Sequence, residues 1–102
     1  MIKPLTIGAF RRWLENASPR LRMETCDDNM CPIGRYYGNS SRSSNVRVSP
    51  YSVYGPGGEK GRLLPAWAKE FVRAVDSAFK PHTKISPAEA LKILMASGYR
   101  KG

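Results

Sequence analysis

The chain has 102 residues, with 17 Lys and Arg against 8 Asp and Glu, a formal net charge of +9, 41% hydrophobic residues and two cysteines. A chain of this length buries roughly 65% of the surface that its unfolded form exposes, which is enough for one core and excludes a separate cofactor domain. The content of bulky apolar residues excludes a fully disordered chain. We therefore expect a single domain spanning residues 1–102.

Two helices are predicted in the first part of the chain. Thr6 suits an N-cap, and apolar residues follow it at helical spacing as far as Leu14, which predicts a helix of about ten residues. Pro32 and Gly38 suit the start and the end of a second, short helix. The segment 20–30 between them shows no sustained period, and we interpret it as a loop or irregular segment.

Two clearer helices are predicted in the last part of the chain. The segment Leu64–Phe79 carries a broad apolar face, and Pro65 suits the first helical position. The last helix begins with the capping box formed by Ser86 and Glu89, and we expect it to end at Gly98. The Leu64–Phe79 helix should pack against the first and last helices.

The predicted β structure is small. Strand-forming residues occur over 46–54, where Pro50 restricts any strand to an edge or to a hairpin. Flexible loops are predicted near 39–45 and 55–62, and residues 83–85 form a short extended link or bridge. The fold class is therefore α+β: a small, helix-dominated single domain with three to four helices and a short strand or hairpin element.

Residues that could support catalysis or bind a metal are few. The single histidine, His82, has no acidic neighbour in the sequence, and Asp27 and Asp28 are interpreted as an acidic loop patch. Cys26 and Cys31 supply two of the four ligands that a strong zinc motif has; free thiols are the main interpretation, with a metal or a disulfide as alternatives. We predict no enzymatic activity, no cofactor and no metal site.

The sequence signal that points to a function is an alternation of cations and tyrosines between residues 35 and 62, where Glu59 is the one acidic residue. Single-stranded nucleic acid is bound in this way, because cations neutralise phosphates and aromatic rings stack on bases. The alternative is that the tyrosines pack on the core while the cations are solvated. The candidate binding residues are Arg35, Tyr36, Tyr37, Arg42, Arg47, Tyr51, Tyr54, Lys60 and Arg62.

Four short runs carry a resemblance to known sequences. FRRWLE at 10–15, CPIGRY at 31–36, LPAWA at 64–68 and SPAEAL at 86–91 together resemble short uncharacterised reading frames of prokaryotes and their phages. The resemblance implies a context in which compact proteins bind and block or redirect a host complex, as anti-CRISPR proteins do. The net charge of +9 departs from the acidic, DNA-mimicking kind of such inhibitors.

These observations predict a small basic binding protein, with RNA, single-stranded DNA or a ribonucleoprotein as its partner and an accessory or regulatory role. The alternative function is a phage-type inhibitor whose basic surface docks on an acidic protein complex of the host. The sequence contains no apolar run of about 18 residues and no signal-peptide core, so no membrane association is expected. With only two closely spaced cysteines, a reducing, cytoplasmic location is the expectation.

Overall fold

A computed structural model describes residues 5–27, 30–37, 47–49, 51–54 and 62–97. Within these ranges the elements are α1 (Ile7–Asn16), β1 (Met23–Glu24), α2 (Pro32–Tyr36), β2 (Arg47–Val48), β3 (Ser52–Tyr54), β4 (Arg62–Leu63), α3 (Ala66–Ala78), β5 (Lys84–Ile85) and α4 (Pro87–Ala96). The helices and two small antiparallel sheets, β1–β5 and β2–β3–β4, confirm the predicted α+β class. None of the described helices is long and apolar enough to cross a membrane.

Local capping interactions define where the first and last helices, α1 and α4, begin. The Thr6 hydroxyl accepts a hydrogen bond from the Ala9 amide at 3.3 Å, so α1 begins as predicted. At α4 the Ser86 hydroxyl accepts from the Glu89 amide at 3.2 Å, and the Glu89 carboxylate accepts from the Ser86 amide at 2.9 Å. This confirms the predicted capping box, which satisfies two amides that would otherwise lack a helical partner.

The core is organised around Phe10 of α1. Its ring contacts Tyr36 of α2 edge-on, with the centroids 5.5 Å apart, and Phe71 of α3, with the centroids 5.3 Å apart. The ring centroid of Trp67, also in α3, lies 5.7 Å from that of Phe10. Leu94 of α4 is fully buried in the same core, and α3 packs against α1 and α4 as predicted.

The strand β1, and with it the sheet β1–β5, was not predicted from the sequence. Met23 pairs with Ile85 and Glu24 pairs with Lys84, so the segment interpreted as a loop contains a strand. The extended link predicted at 83–85 is present and contributes β5. A strand of two residues is too short to show an alternation of apolar and polar residues in the sequence. The pairing of β1 with β5 is fixed instead by the burial of Met23 and Ile85 in the core.

The predicted hairpin over 46–54 is present as β2 and β3, and β4 adds a third strand. Both predicted flexible loops lie outside the described residues, except that Arg62 begins β4. Gly38 and Gly98, the expected ends of α2 and α4, also lie outside the described residues.

Candidate nucleic-acid interface

The three-stranded sheet presents one buried and one exposed face. Directly opposed residues of an antiparallel pair point to the same face. Val48 pairs with Val53, and both are buried against the core. Arg47 pairs with Tyr54, so these two side chains share the outer face. Leu63, which is paired with Ser52, belongs to the same outer face.

Large exposed apolar side chains are concentrated on this sheet. Leu63 is 75% exposed, Tyr54 is 45% exposed, and Tyr51, in the turn before β3, is 62% exposed. Among the described residues, the one other exposed large apolar side chain is Met95 of α4. A single exposed apolar residue is ordinary, whereas several on one small sheet indicate a binding surface.

Two exposed arginines flank these side chains. Arg47 lies on the outer face beside Tyr54. Arg62 lies on the edge strand β4 and pairs with Val53, so its exposed side chain leaves the edge of the sheet on the opposite side from Leu63. No acidic residue occurs in the sequence from Arg35 to Gly58. We call Arg47, Tyr51, Tyr54, Arg62 and Leu63 the basic aromatic patch.

The backbone around Tyr51 is held in place by hydrogen bonds. The Ser49 hydroxyl accepts from the amides of Tyr51 at 3.2 Å and Ser52 at 2.9 Å. The Tyr51 carbonyl accepts from the Leu64 amide at 2.8 Å. The exposed ring is thus carried by a fixed backbone, and a tyrosine presents a large contact area at low entropic cost.

The first three candidate residues lie in a different environment. Tyr36 is 7% exposed, and its ring contacts Phe10 and Trp13 edge-on. Tyr37 is half-buried against Tyr36, with the centroids 5.3 Å apart, and Arg35 is half-buried in α2. For Tyr36 the structure therefore shows the core-packing alternative, in which the ring offers no free face.

The electrostatics connect α2 to the patch. Burial raises the pKa of Tyr36. Burial and the neighbouring Tyr36 also raise the pKa of Tyr37, while the positive charge of Arg62 acts in the opposite direction. Arg62 therefore lies close enough to Tyr37 to affect its ionisation, which brings the end of α2 near the edge strand β4. Arg42 and Lys60, the two remaining candidates, lie outside the described residues.

A second group of polar side chains was missed by the sequence analysis. His82, which has no acid near it in the sequence, places Nδ1 2.8 Å from Oε2 of Glu24, 58 residues away. Asp27, interpreted as part of an acidic loop patch, is buried, and that interpretation is wrong for this residue. Its Oδ1 accepts a hydrogen bond from the Met30 amide at 2.8 Å. Asp28 lies outside the described residues.

The cysteines are free thiols with different surroundings. The Cys31 sulfur accepts a hydrogen bond from the Gly34 amide at 3.4 Å, and burial raises the pKa of this thiol to about 12. Desolvation and the nearby Asp76 carboxylate raise the pKa of the Cys26 thiol. Catalytic cysteines need a lowered pKa, so neither thiol has the electrostatic environment of a nucleophile.

Comparisons of this chain with known protein families, with curated proteins and with solved structures give no match. The functional inference therefore depends on the geometry and charge of the residues described above.

Proposed function

We propose that this chain is a small, non-enzymatic protein that binds single-stranded nucleic acid, RNA or DNA, free or within a ribonucleoprotein, as an accessory or regulatory factor. The observation that supports this function is the basic aromatic patch. Three of the four exposed large apolar side chains in the described part of the chain lie on one sheet and its turn, with exposed Arg47 on the outer face of that sheet and exposed Arg62 on its edge strand.

The chemistry of the patch suits an unpaired strand. Tyr51 and Tyr54 offer rings on which bases stack, and each such contact is worth about 1–3 kcal/mol. Arg47 and Arg62 neutralise phosphates and release counterions. Stacking tolerates any base, so we expect weak sequence preference and strong salt dependence.

The buried candidates contribute indirectly in this proposal. Tyr36 and Tyr37 fix the end of α2 against the core, and Arg62 lies within electrostatic range of Tyr37. They therefore support the platform and do not stack on bases. Arg42 and Lys60 remain predicted phosphate contacts from the sequence.

The experiment is a fluorescence-anisotropy titration of labelled oligo-U and oligo-dT at several salt concentrations. We expect saturable binding that weakens as the salt concentration rises. We also expect the double variant Tyr51→Ala/Tyr54→Ala to bind the oligonucleotides much more weakly than the wild type. Met95→Ala removes an exposed apolar side chain from α4 and serves as the matched control, with unchanged affinity expected. Binding that is equal in the double variant and in the control would contradict the proposal.

A second candidate function is the inhibitor that docks on an acidic surface of a host protein complex. The observation that favours it is Leu63, which at 75% is the most exposed large apolar side chain in the described part and has no ring for base stacking. Capture from the native host, with and without nuclease, separates the two functions. A partner that stays bound after nuclease treatment supports the inhibitor, and a partner that is lost supports nucleic-acid binding.

We also infer that the protein works in the cytoplasm. Cys26 and Cys31 are free thiols, which persist in a reducing compartment. Localisation of a tagged full-length chain in its host tests this inference.

A further inference from the structure

Three potential metal ligands from two distant segments meet beside the β1–β5 sheet. They are the Oε2 atom of Glu24, the Oδ2 atom of Asp27 and the Nδ1 atom of His82. The histidine nitrogen lies 2.8 Å from the first of these oxygens and 4.0 Å from the second. Ligand atoms of the three side chains all lie within 4.8 Å of one another.

We propose that Glu24, Asp27 and His82 bind one divalent transition-metal ion, with Zn²⁺ as the preferred ion. We call these three residues the carboxylate–histidine cluster. This site is separate from the basic aromatic patch, and the proposal does not depend on nucleic-acid binding.

The distances suit such an ion. In a tetrahedral zinc site with bond lengths of about 2.0–2.1 Å, neighbouring ligand atoms are roughly 3.3 Å apart. The two distances from the His82 nitrogen, 2.8 and 4.0 Å, lie on either side of that value. Small rotations of the carboxylates would place the three atoms around one ion, and a water molecule would fill the fourth position.

Burial gives the cluster an inner and an outer side. The side chains of Glu24 and Asp27 are 12% and 6% exposed, whereas that of His82 is 56% exposed. The two carboxylates therefore form the inner wall and the imidazole forms the outer wall. The negative charges of the two carboxylates lie close together and largely shielded from water, which favours a cation between them.

The chemistry of the donors selects the class of ion. Imidazole favours zinc and other late first-row metals, while an all-oxygen site would suit Mg²⁺ or Ca²⁺. His82 uses Nδ1, the nitrogen that now faces Glu24, so the ring proton in the metal-bound state would lie on Nε2. Cys26 lies between two of the ligands in sequence, but its sulfur is not among the ligand atoms that come together in the cluster.

Buried Thr25 holds the two ligand-bearing turns together. Its amide donates to the Thr83 carbonyl at 2.9 Å, and its carbonyl accepts from the His82 amide at 2.8 Å. Its hydroxyl donates to the Lys80 carbonyl at 2.7 Å and accepts from the Thr83 amide at 3.0 Å. The ligand positions are thus fixed by the fold itself, which lowers the entropic cost of binding an ion.

The test is a zinc titration of the full, metal-stripped chain by calorimetry. We expect one Zn²⁺ per chain, bound more tightly than Mg²⁺. We also expect His82→Gly and Glu24→Gln each to weaken binding about tenfold or more, a loss in the range seen when metal sites are disturbed. Glu15→Gln removes an exposed carboxylate from α1 and is the matched control, with unchanged affinity expected.

The variants are chosen so that the fold survives. His82 has a φ of 61°, which glycine adopts without strain. Circular dichroism checks each fold, and if the glycine variant fails to fold, Glu24→Gln decides. Absence of saturable zinc binding, or equal binding in the folded variants and the control, would overturn the proposal.

A second readout separates this site from the cysteines. Co²⁺ bound to nitrogen and oxygen ligands gives visible d–d bands without the near-ultraviolet charge-transfer band of a cobalt–thiolate bond. We expect the spectrum without that band, and we expect it to be lost in His82→Gly. A thiolate band would assign the metal to Cys26 or Cys31 and would also overturn the proposal.

Discussion

Arg47 and Tyr54 face each other across the β2–β3 pair, and both side chains are exposed on the outer face of the sheet. Opposed residues of an antiparallel pair have Cβ atoms about 4.5–5.5 Å apart, so a cation and an aromatic ring are held side by side. A nucleotide offers a phosphate and a base at similar separation. This pair is therefore the smallest unit of the proposed interface.

The first prediction separates base stacking from general apolar contact. Tyr54→Leu keeps an apolar side chain on the outer face but removes the aromatic ring. We expect its affinity for oligo-U to fall about fivefold or more, because stacking on one ring is worth about 1–3 kcal/mol. Anisotropy titration at fixed salt measures the change.

Leu63→Ala is the matched change on the same face, since it removes exposed apolar area without touching a ring. We expect nearly wild-type affinity for the oligonucleotide. If Leu63→Ala weakened binding while Tyr54→Leu did not, the surface would be an apolar docking site and base stacking would be excluded.

The second prediction concerns the number of phosphates contacted. For single strands, the logarithm of the affinity falls with the logarithm of the salt concentration by about 0.7 for each phosphate neutralised. We expect Arg47→Gln and Arg62→Gln each to reduce this slope by about that amount. Arg73→Gln removes an exposed cation from α3 and should leave the slope unchanged. Equal slopes in all three variants would show that neither patch arginine contacts a phosphate.

Much of the fold follows from local patterns in the sequence. The Thr6 cap and the Ser86–Glu89 capping box are local signals, and both helices begin where these signals predict. The β2–β3 hairpin is local too. By contrast, Glu24 and His82 are 58 residues apart, and they meet because two strands of two residues pair, which no local period encodes.

The candidate site was predictable only in part. The alternation of cations and tyrosines identified Tyr51 and Tyr54, which are exposed, but it equally included Tyr36, which is buried against Phe10. Composition does not distinguish a ring in the core from a ring on a surface. Leu63 joined the patch only through the register of β4, a strand too short to show alternation.

The third prediction concerns the stability supplied by the α4 capping box. Ser86→Ala removes the hydroxyl that accepts a hydrogen bond from the Glu89 amide. We therefore expect the free energy of unfolding to fall by about 1 kcal/mol. Urea denaturation followed by circular dichroism measures the difference. Ser77→Ala changes an exposed serine within α3, where alanine is the better helix former, so no loss of stability is expected. A loss of equal size in both variants would indicate that the capping box contributes nothing specific.

The fourth prediction concerns stability at alkaline pH. Burial raises the pKa of the Cys31 thiol from 9.0 to about 12, so the folded protein keeps this proton after the unfolded chain has lost it. The contribution of the thiol is fully present below pH 9 and is lost as the pH rises from 9 towards 12. The free energy of unfolding should therefore fall by up to about 1.4 kcal/mol per pH unit over that range.

Cys31→Ser isolates this effect. Serine retains an acceptor for the Gly34 amide at the start of α2 but does not titrate in this range. Tyr36, Tyr37 and Cys26, whose pKa values are also raised, contribute equally to both proteins and cancel in the difference. Urea denaturation at pH 8, 9, 10 and 11 should show the wild type losing stability relative to the serine variant above pH 9, where the unfolded thiol ionises. Parallel curves for the two proteins would mean that the Cys31 thiol is solvated in the folded state.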